Sequence, residues 1–205
     1  MSKANIATWE ERFALDGFLF GTAPNEFLAR EAARLAPGSR VLCVADGEGR
    51  NSTYLAGLGH DVHAVEAAAN ALAKARALAA ERGVDVTFEQ VDLEEWNWPV
   101  GAYDAVVAIF IQFTDPVARA RMFAQMAAAL TPGGLLLLEG YGPGQLAYGT
   151  GGPKHLDHLY TVDELETAFP GFEVLLLEEY DRVLDEGPRH QGMSALVDLV
   201  AVRST

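Results

Sequence analysis

The stretch that most narrows what this chain can fold into is residues 40–58. An apolar run, Val41-Leu42-Cys43-Val44, passes without a break into Ala45-Asp46-Gly47-Glu48-Gly49, and a segment of helical character follows at 50–58. A short buried strand, a glycine loop and a helix in direct succession form the opening unit of a parallel sheet covered by helices. The glycines let the backbone turn tightly and come close to a ligand. In open sheets of this kind ligands sit beyond the carboxyl ends of the strands.

The alternation continues along the chain, which is expected to be an α/β protein. Strands are expected at 40–45, 61–65, 84–91, 104–111 and 135–139. The run at 104–111 is almost wholly apolar, as suits a central strand buried on both faces. Residues 67–82 are rich in Ala, Leu, Lys and Arg and predict a helix that Gly83 ends. Asp115 followed by Pro116 predicts the start of another helix, which Pro132-Gly133-Gly134 is expected to stop. Thr161, with Glu164 three residues on, predicts a capped short helix through Phe169. Two last strands are expected at 172–180 and 194–203, with 181–193 as a loop between them. Strands joined without a helix are more easily antiparallel. Residues 1–39 stand outside this repeat and predict helices at 9–15 and 26–35 around a loop at 17–25. The whole chain, 1–205, is expected to be one domain, with 1–39 as a helical cap and 40–205 as its core.

Charge and cysteine content bound the function. The chain has 15 Lys and Arg against 29 Asp and Glu, a formal net charge of −14. Such a surface repels phosphate backbones and anionic headgroups, so neither nucleic acid nor membrane is an expected partner. The single cysteine, Cys43, allows no internal disulfide, and no metal-ligand spacing is present. No stretch is apolar enough for a signal peptide or a membrane span, and a cytoplasmic location is expected.

The loop itself selects among nucleotides. A dinucleotide fingerprint is G-x-G-x-x-G with a pyrophosphate at the helix N-terminus. Here the pattern is A-x-G-x-G, and Asp46 and Glu48 lie within it. Two carboxylates oppose a pyrophosphate and suit a cation. S-adenosylmethionine has no phosphate, and its sulfonium and ammonium outweigh its carboxylate, so the loop favours this methyl donor over NAD. Glu66, at the end of the second strand, stands where ribose hydroxyls are held in nucleotide-binding sheets. Asp92, after the third strand, is placed either to meet an adenine amino group or to cap a turn. Ile109 and the residues to Phe113 offer apolar surface for the donor or pack in the core.

These residues carry a resemblance. The segment from Val41 to Asn51 resembles motif I of the class I S-adenosylmethionine-dependent methyltransferases, in the branch of tellurite-resistance protein B and thiopurine methyltransferase. Trp9-Glu10-Glu11-Arg12-Phe13 and Phe20-Gly21-Thr22-Ala23-Pro24-Asn25 are similar to that branch's N-terminal segment. Leu130-Thr131-Pro132-Gly133-Gly134 is similar to the turn before its fifth strand. The resemblance implies a three-layer αβα Rossmann-like fold with strand order 3-2-1-4-5-7-6 and strand seven antiparallel. It also implies that Ala45, Gly47 and Gly49 wrap the methionyl part, that Glu66 holds the ribose and that Asp92 or the Leu93 backbone meets the adenine. Trp9 and Arg12 would close over the donor, Arg12 facing its carboxylate. The chain departs from the family where Cys43 replaces an acid, Ala45 a glycine, and Asp46 a small residue; Asp46 is expected to partner the donor's ammonium in place of the missing acid.

Methyl transfer needs alignment and desolvation more than a dedicated base. The expected acceptor is a small molecule, and the acceptor-side candidates are Tyr141, His155 and His190. A non-catalytic donor-binding protein of the same fold and a dinucleotide-dependent oxidoreductase stand as the alternatives.

Overall fold

A computed structural model of the protein describes residues 3–205; Met1 and Ser2, part of the expected cap, lie outside the described residues. The helices are α1 (Lys3–Phe13), α2 (Glu26–Glu31), α3 (Arg50–Gly57), α4 (Ala69–Arg82), α5 (Pro116–Ala129), α6 (Gln145–Tyr148) and α7 (Val162–Ala168). The strands are β1 (Arg40–Val44), β2 (Asp61–Glu66), β3 (Thr87–Gln90), β4 (Tyr103–Ile109), β5 (Leu130–Tyr141), β6 (Phe172–Asp185) and β7 (Gln191–Arg203). They form one seven-stranded sheet in the order β3-β2-β1-β4-β5-β7-β6. Neighbours from β3 to β5 run parallel, and β7 runs antiparallel to both β5 and β6.

Alternate residues of each strand feed two cores, as the two-residue period of a strand requires. Leu42, Val106, Leu136 and Leu138 face Met122, Phe123 and Met126 of α5 and Leu165 of α7. Val41, Cys43, Val107 and Leu137 face Phe27 and Leu28 of α2 and Leu55 of α3. The sheet is thus the middle of three layers. Cys43 is a buried core thiol.

Several expectations change at their edges: the helix expected at 9–15 is Lys3–Phe13, and the strand expected at 84–91 is only Thr87–Gln90. The helix before β5 ends at Ala129, ahead of the Pro-Gly-Gly turn, because Leu130 already pairs with Tyr103. The ladder then skips to Leu135 opposite Ala105, and residues 131–134 bulge out between. The stretch 26–35 is a short α-helix continued by a 3-10 turn, Ala32–Arg34. The largest change is at 181–193. The expected loop is strand: pairing of β6 with β7 runs on to Asp185 opposite Gln191, so only residues 186–190 turn. Leu184 is buried against Tyr141, Leu159 and Leu196, which anchors this extension.

Gly49 shows how tightly the glycine loop is packed. It is the N-cap of α3 at φ 88, and a Cβ placed there would lie 2.7 Å from the Ala75 Cβ on α4. Gly83 at the end of α4 also has a left-handed φ, 63, but nothing within 4 Å. Gly83→Ala is therefore expected to cost about 1 kcal/mol through backbone strain alone, and Gly49→Ala about 3 kcal/mol through strain plus overpacking. Urea unfolding of the two variants checks the difference, and equal costs would contradict it.

Candidate active site

The carboxyl ends of β1, β2, β4 and β5, the N-terminal segment and the β6–β7 turn enclose a cavity of about 720 Å³. That lies within the range of roughly 300–1,000 Å³ usual for small-molecule sites. Of the residues expected at a donor site, Trp9, Arg12, Ala45, Asp46, Gly47, Asn51, Glu66 and Ile109 line it. Tyr141, His155 and His190, expected on the acceptor side, line it too.

Gly21, Glu48, Gly49, Asp92 and Leu93 are not among the lining residues. Each has other work. Glu48 turns back into the protein, where Oε2 accepts from the Leu19 N–H at 2.7 Å and Oε1 pairs with Lys74 at 2.9 Å. It fastens the N-terminal segment and is not a free charge for a cation. Gly49 packs on Ala75, and Gly21 lies against the Glu186–Gly187 backbone. Asp92 accepts from the Glu94 N–H at 3.1 Å as a turn cap, and Leu93 is buried in the core.

Glu66 welds the donor-side loop together. One oxygen accepts from the N–H groups of Ala67 and Ala68 at 2.8 and 2.9 Å, the other from Gly47 N–H at 3.0 Å. Burial raises its pKa against the pull of these three bonds. Asp46 accepts from the Ser52 hydroxyl and N–H. Its burial, with Glu66 nearby, pushes its carboxyl up to about 6. Just before it, Ala45 has φ 49, the left-handed region a glycine would take without strain.

The wall over the loop is aromatic. Trp9 stacks on Phe13 at 5.5 Å, and the Arg12 guanidinium lies 4.7 Å from the Trp9 ring centre. Phe110, also at a left-handed φ of 55, lies 4.7 Å from Tyr141 and 4.3 Å from His190 between ring centres. Phe20 approaches His190 at 4.5 Å. Burial lowers the His190 pKa, so the imidazole is neutral near pH 7. Its Nδ1 stands 3.9 Å from Glu186, too far for a hydrogen bond. Burial, then Glu139, raises the Tyr141 phenol, which stays protonated.

Beneath the cavity lies a buried polar cluster that sequence reasoning missed. Asn25 Nδ2 donates to Glu139 at 2.5 Å and to Glu186 at 3.1 Å, while Arg50 pairs with Glu186 at 2.8 Å. Its members lie 114 and 161 residues from Asn25 in the chain, so no local pattern announces them. Phe110, expected as apolar surface, and His158 line the cavity as well, and so do Arg50, Lys154 and Arg189, which were given no role. For Arg189 and Lys154 the only signal was a basic residue beside a candidate histidine in a strongly acidic chain.

Comparisons with known proteins bear on the family and the fold. A family described as "Methyltransferase domain" matches residues 41–134. Thiopurine S-methyltransferase of Pseudomonas putida is 30% identical over 224 aligned residues, covering 95% of this chain and 96% of that protein. Glycine/sarcosine N-methyltransferase of Halorhodospira halochloris is 29% identical over 142 residues, covering 66% of this chain; the chain spans 48% of that relative's length. The crystal structure of TehB from Haemophilus influenzae superposes with a TM-score of 0.72 at 17% identity, over 96% of this chain and 66% of that one.

Asp46 yields a stability prediction. Its folded pKa of about 6 exceeds the ordinary 3.8, so the folded state holds the proton more tightly. Stability is therefore lost as pH rises from about 4 to about 6, and the deficit persists above that. Asp46→Asn is expected to raise the stability of the ligand-free protein at pH 7.5 by on the order of 2 kcal/mol and to change little at pH 4. Urea unfolding at both pH values checks this; a destabilised variant at pH 7.5 would contradict it.

Proposed function

Since the chain belongs to the class I S-adenosylmethionine-dependent methyltransferases, in the branch that includes thiopurine S-methyltransferase, we propose that it methylates a small molecule bound in the cavity. The observation that carries this reading is the placement of two carboxylates at the ends of β1 and β2, the half-buried Asp46 and the buried Glu66, on the lining of one aromatic-walled cavity. That donor set fits the cofactor: carboxylates for an ammonium and for ribose hydroxyls, a cation at Arg12 for a carboxylate, and an apolar shelf at Ile109 and Phe110. Thiopurine, glycine and sarcosine appear in the names of the two relatives, and each is small.

The cofactor supplies a methyl group on a cationic sulfur, which leaves with the bonding electron pair as a neutral thioether once the acceptor's lone pair bonds to the methyl carbon. The protein's residues do the rest. Glu66 and Asp46 fix the nucleoside and ammonium ends. Trp9, Phe13 and Phe20 shut out water. Phe110 and Tyr141 set the acceptor's plane, and neutral His190 takes a proton from an acceptor that carries one. His155 and His158, at the mouth, guide the acceptor inward. Within the expected cap of 1–39, the described residues from 3 on cap the 40–205 core within one domain. The surface charge favours work in the cytoplasm away from nucleic acid. No helix among the described residues is long and apolar enough to cross a membrane.

Calorimetric titration tests the reading. S-adenosylmethionine and S-adenosylhomocysteine are expected to bind at about micromolar Kd and NADH not to bind. Glu66→Gln should weaken both by about tenfold through poorer ribose hydrogen bonds. Because Asp46 must shed its proton to meet the ammonium, affinity should climb with pH up to about 6 and then level off, and Asp46→Asn should flatten that rise. Preferential binding of NADH would overturn the reading.

A further inference from the structure

The charge inside the cavity is divided in a way the surface is not. The chain as a whole has 29 acidic against 15 basic side chains. Among the described residues, the cavity reverses that balance: Arg12, Arg50, Lys154 and Arg189 line it against Asp46 and Glu66. Both acids belong to the ends of β1 and β2. Lys154 and Arg189 come from two other segments, the loop after α6 and the β6–β7 turn.

Those two segments form one rim. A Cβ at Gly151 would lie 3.1 Å from the Arg189 carbonyl oxygen. Gln145 Nε2 donates to the Gly151 carbonyl at 3.1 Å, and the Thr150 hydroxyl donates to the Met193 carbonyl. The Arg189 N–H donates to the Leu19 carbonyl at 3.1 Å, which fixes its backbone. Among the described residues no acid pairs with the side chain of Lys154 or Arg189. Two exposed cations on adjoining segments of the cavity rim of an acidic protein, with no acid paired to them, are placed for an external anion.

The chamber also holds flat side chains. Phe20, Phe110 and Tyr141 surround His190 with ring centres 4.3 to 5.9 Å away. These rings pack on one another, and the faces and edges they leave toward the cavity offer offset or edge contact to a planar ligand. We infer that the methyl acceptor is a small aromatic carboxylate, its ring against Phe110 and Tyr141 and its charge on Lys154 and Arg189. The inference rests on the reading of this cavity as the methyl-transfer chamber. It adds a reason for selectivity: with the carboxylate on the rim, the opposite edge of the ring carries the nucleophile toward the donor end. The same rim repels a cationic amine.

The test is binding by three small probes to the protein saturated with S-adenosylhomocysteine. Benzoate, neutral isosteric benzamide and acetate, which has the charge without the ring, are titrated by calorimetry. Benzoate is expected to bind about tenfold more tightly than either of the others, the worth of one charge-assisted contact or one ring contact. In Lys154→Gln/Arg189→Gln the advantage over benzamide should fall to near parity, while S-adenosylhomocysteine binding stays unchanged. Benzamide binding as tightly as benzoate would overturn the inference, as would a benzoate advantage undiminished in the double variant or no benzoate binding at millimolar concentration. In those cases intact S-adenosylhomocysteine binding leaves the methyltransferase reading standing; its loss in the wild-type protein defeats both.

Discussion

The Asn25 amide is the contact on which the site depends. It is fully buried, and every polar atom of it is used. Its Oδ1 caps α2 by accepting from Leu28 N–H at 2.9 Å, its Nδ2 donates to Glu139 on β5 and to Glu186 in the β6–β7 turn, and its own N–H donates to Asn51 on α3 at 2.9 Å. One residue, through its side chain and its backbone N–H, thus joins the N-terminal segment, the sheet, the turn and the helix after the glycine loop. Burying carboxylates costs several kcal/mol each unless they are neutralised or paired. The cluster does both. Glu139 is pushed far up by burial with Asp198 and Glu186 close by, which favours its neutral form. Burial works against the charge of Glu186, yet the Arg50 guanidinium and the Asn25 amide beside it bring it below the ordinary carboxylate value, so it stays ionised.

This arrangement explains how a two-part wall is held over an open sheet edge. The turn at 186–190 is clamped by Glu186 to Asn25 and to the Glu26 N–H, and Gly187 fits against Phe20 and Gly21 with no room for a Cβ. His190 is therefore delivered into the chamber by a turn that belongs to the sheet but is locked to the cap. Its neutral imidazole, the protonated Tyr141 and the rim cations then share one space with the two donor-end carboxylates. The cavity carries its carboxylates at the ends of β1 and β2 and two of its cations on the loop after α6 and the β6–β7 turn, a distribution that the net charge of −14 conceals.

Local order was legible in the sequence wherever one segment decides it. The buried strands at 40–45 and 104–111, the Asp115–Pro116 helix start, whose side chain accepts from Ala118 N–H at 2.9 Å, and the Gly83 stop follow from side-chain period and backbone freedom. The glycine loop with Glu66 pointed to the carboxyl end of the sheet, where the cavity lies. Residues 181–193 were illegible because the strand there is made by its partner: polar Asp181, Arg182 and Asp185 give no apolar signal, and pairing with β7 supplies the order. Glu48 was misplaced because a carboxylate in a glycine loop looks exposed until Lys74, 26 residues on, is seen to reach it. The Asn25 cluster lay beyond reach altogether, since it exists only through contacts between distant segments.

The measurement that tests the central claim most directly is a crystal structure of the protein with S-adenosylhomocysteine bound. The account predicts the ribose hydroxyls on Glu66, the amino group by Asp46 and the sulfur facing the space between Phe110 and His190, with the Asn25 cluster unmoved. A ligand seated outside this cavity, or one whose sulfur faces away from the His190 chamber, would contradict it.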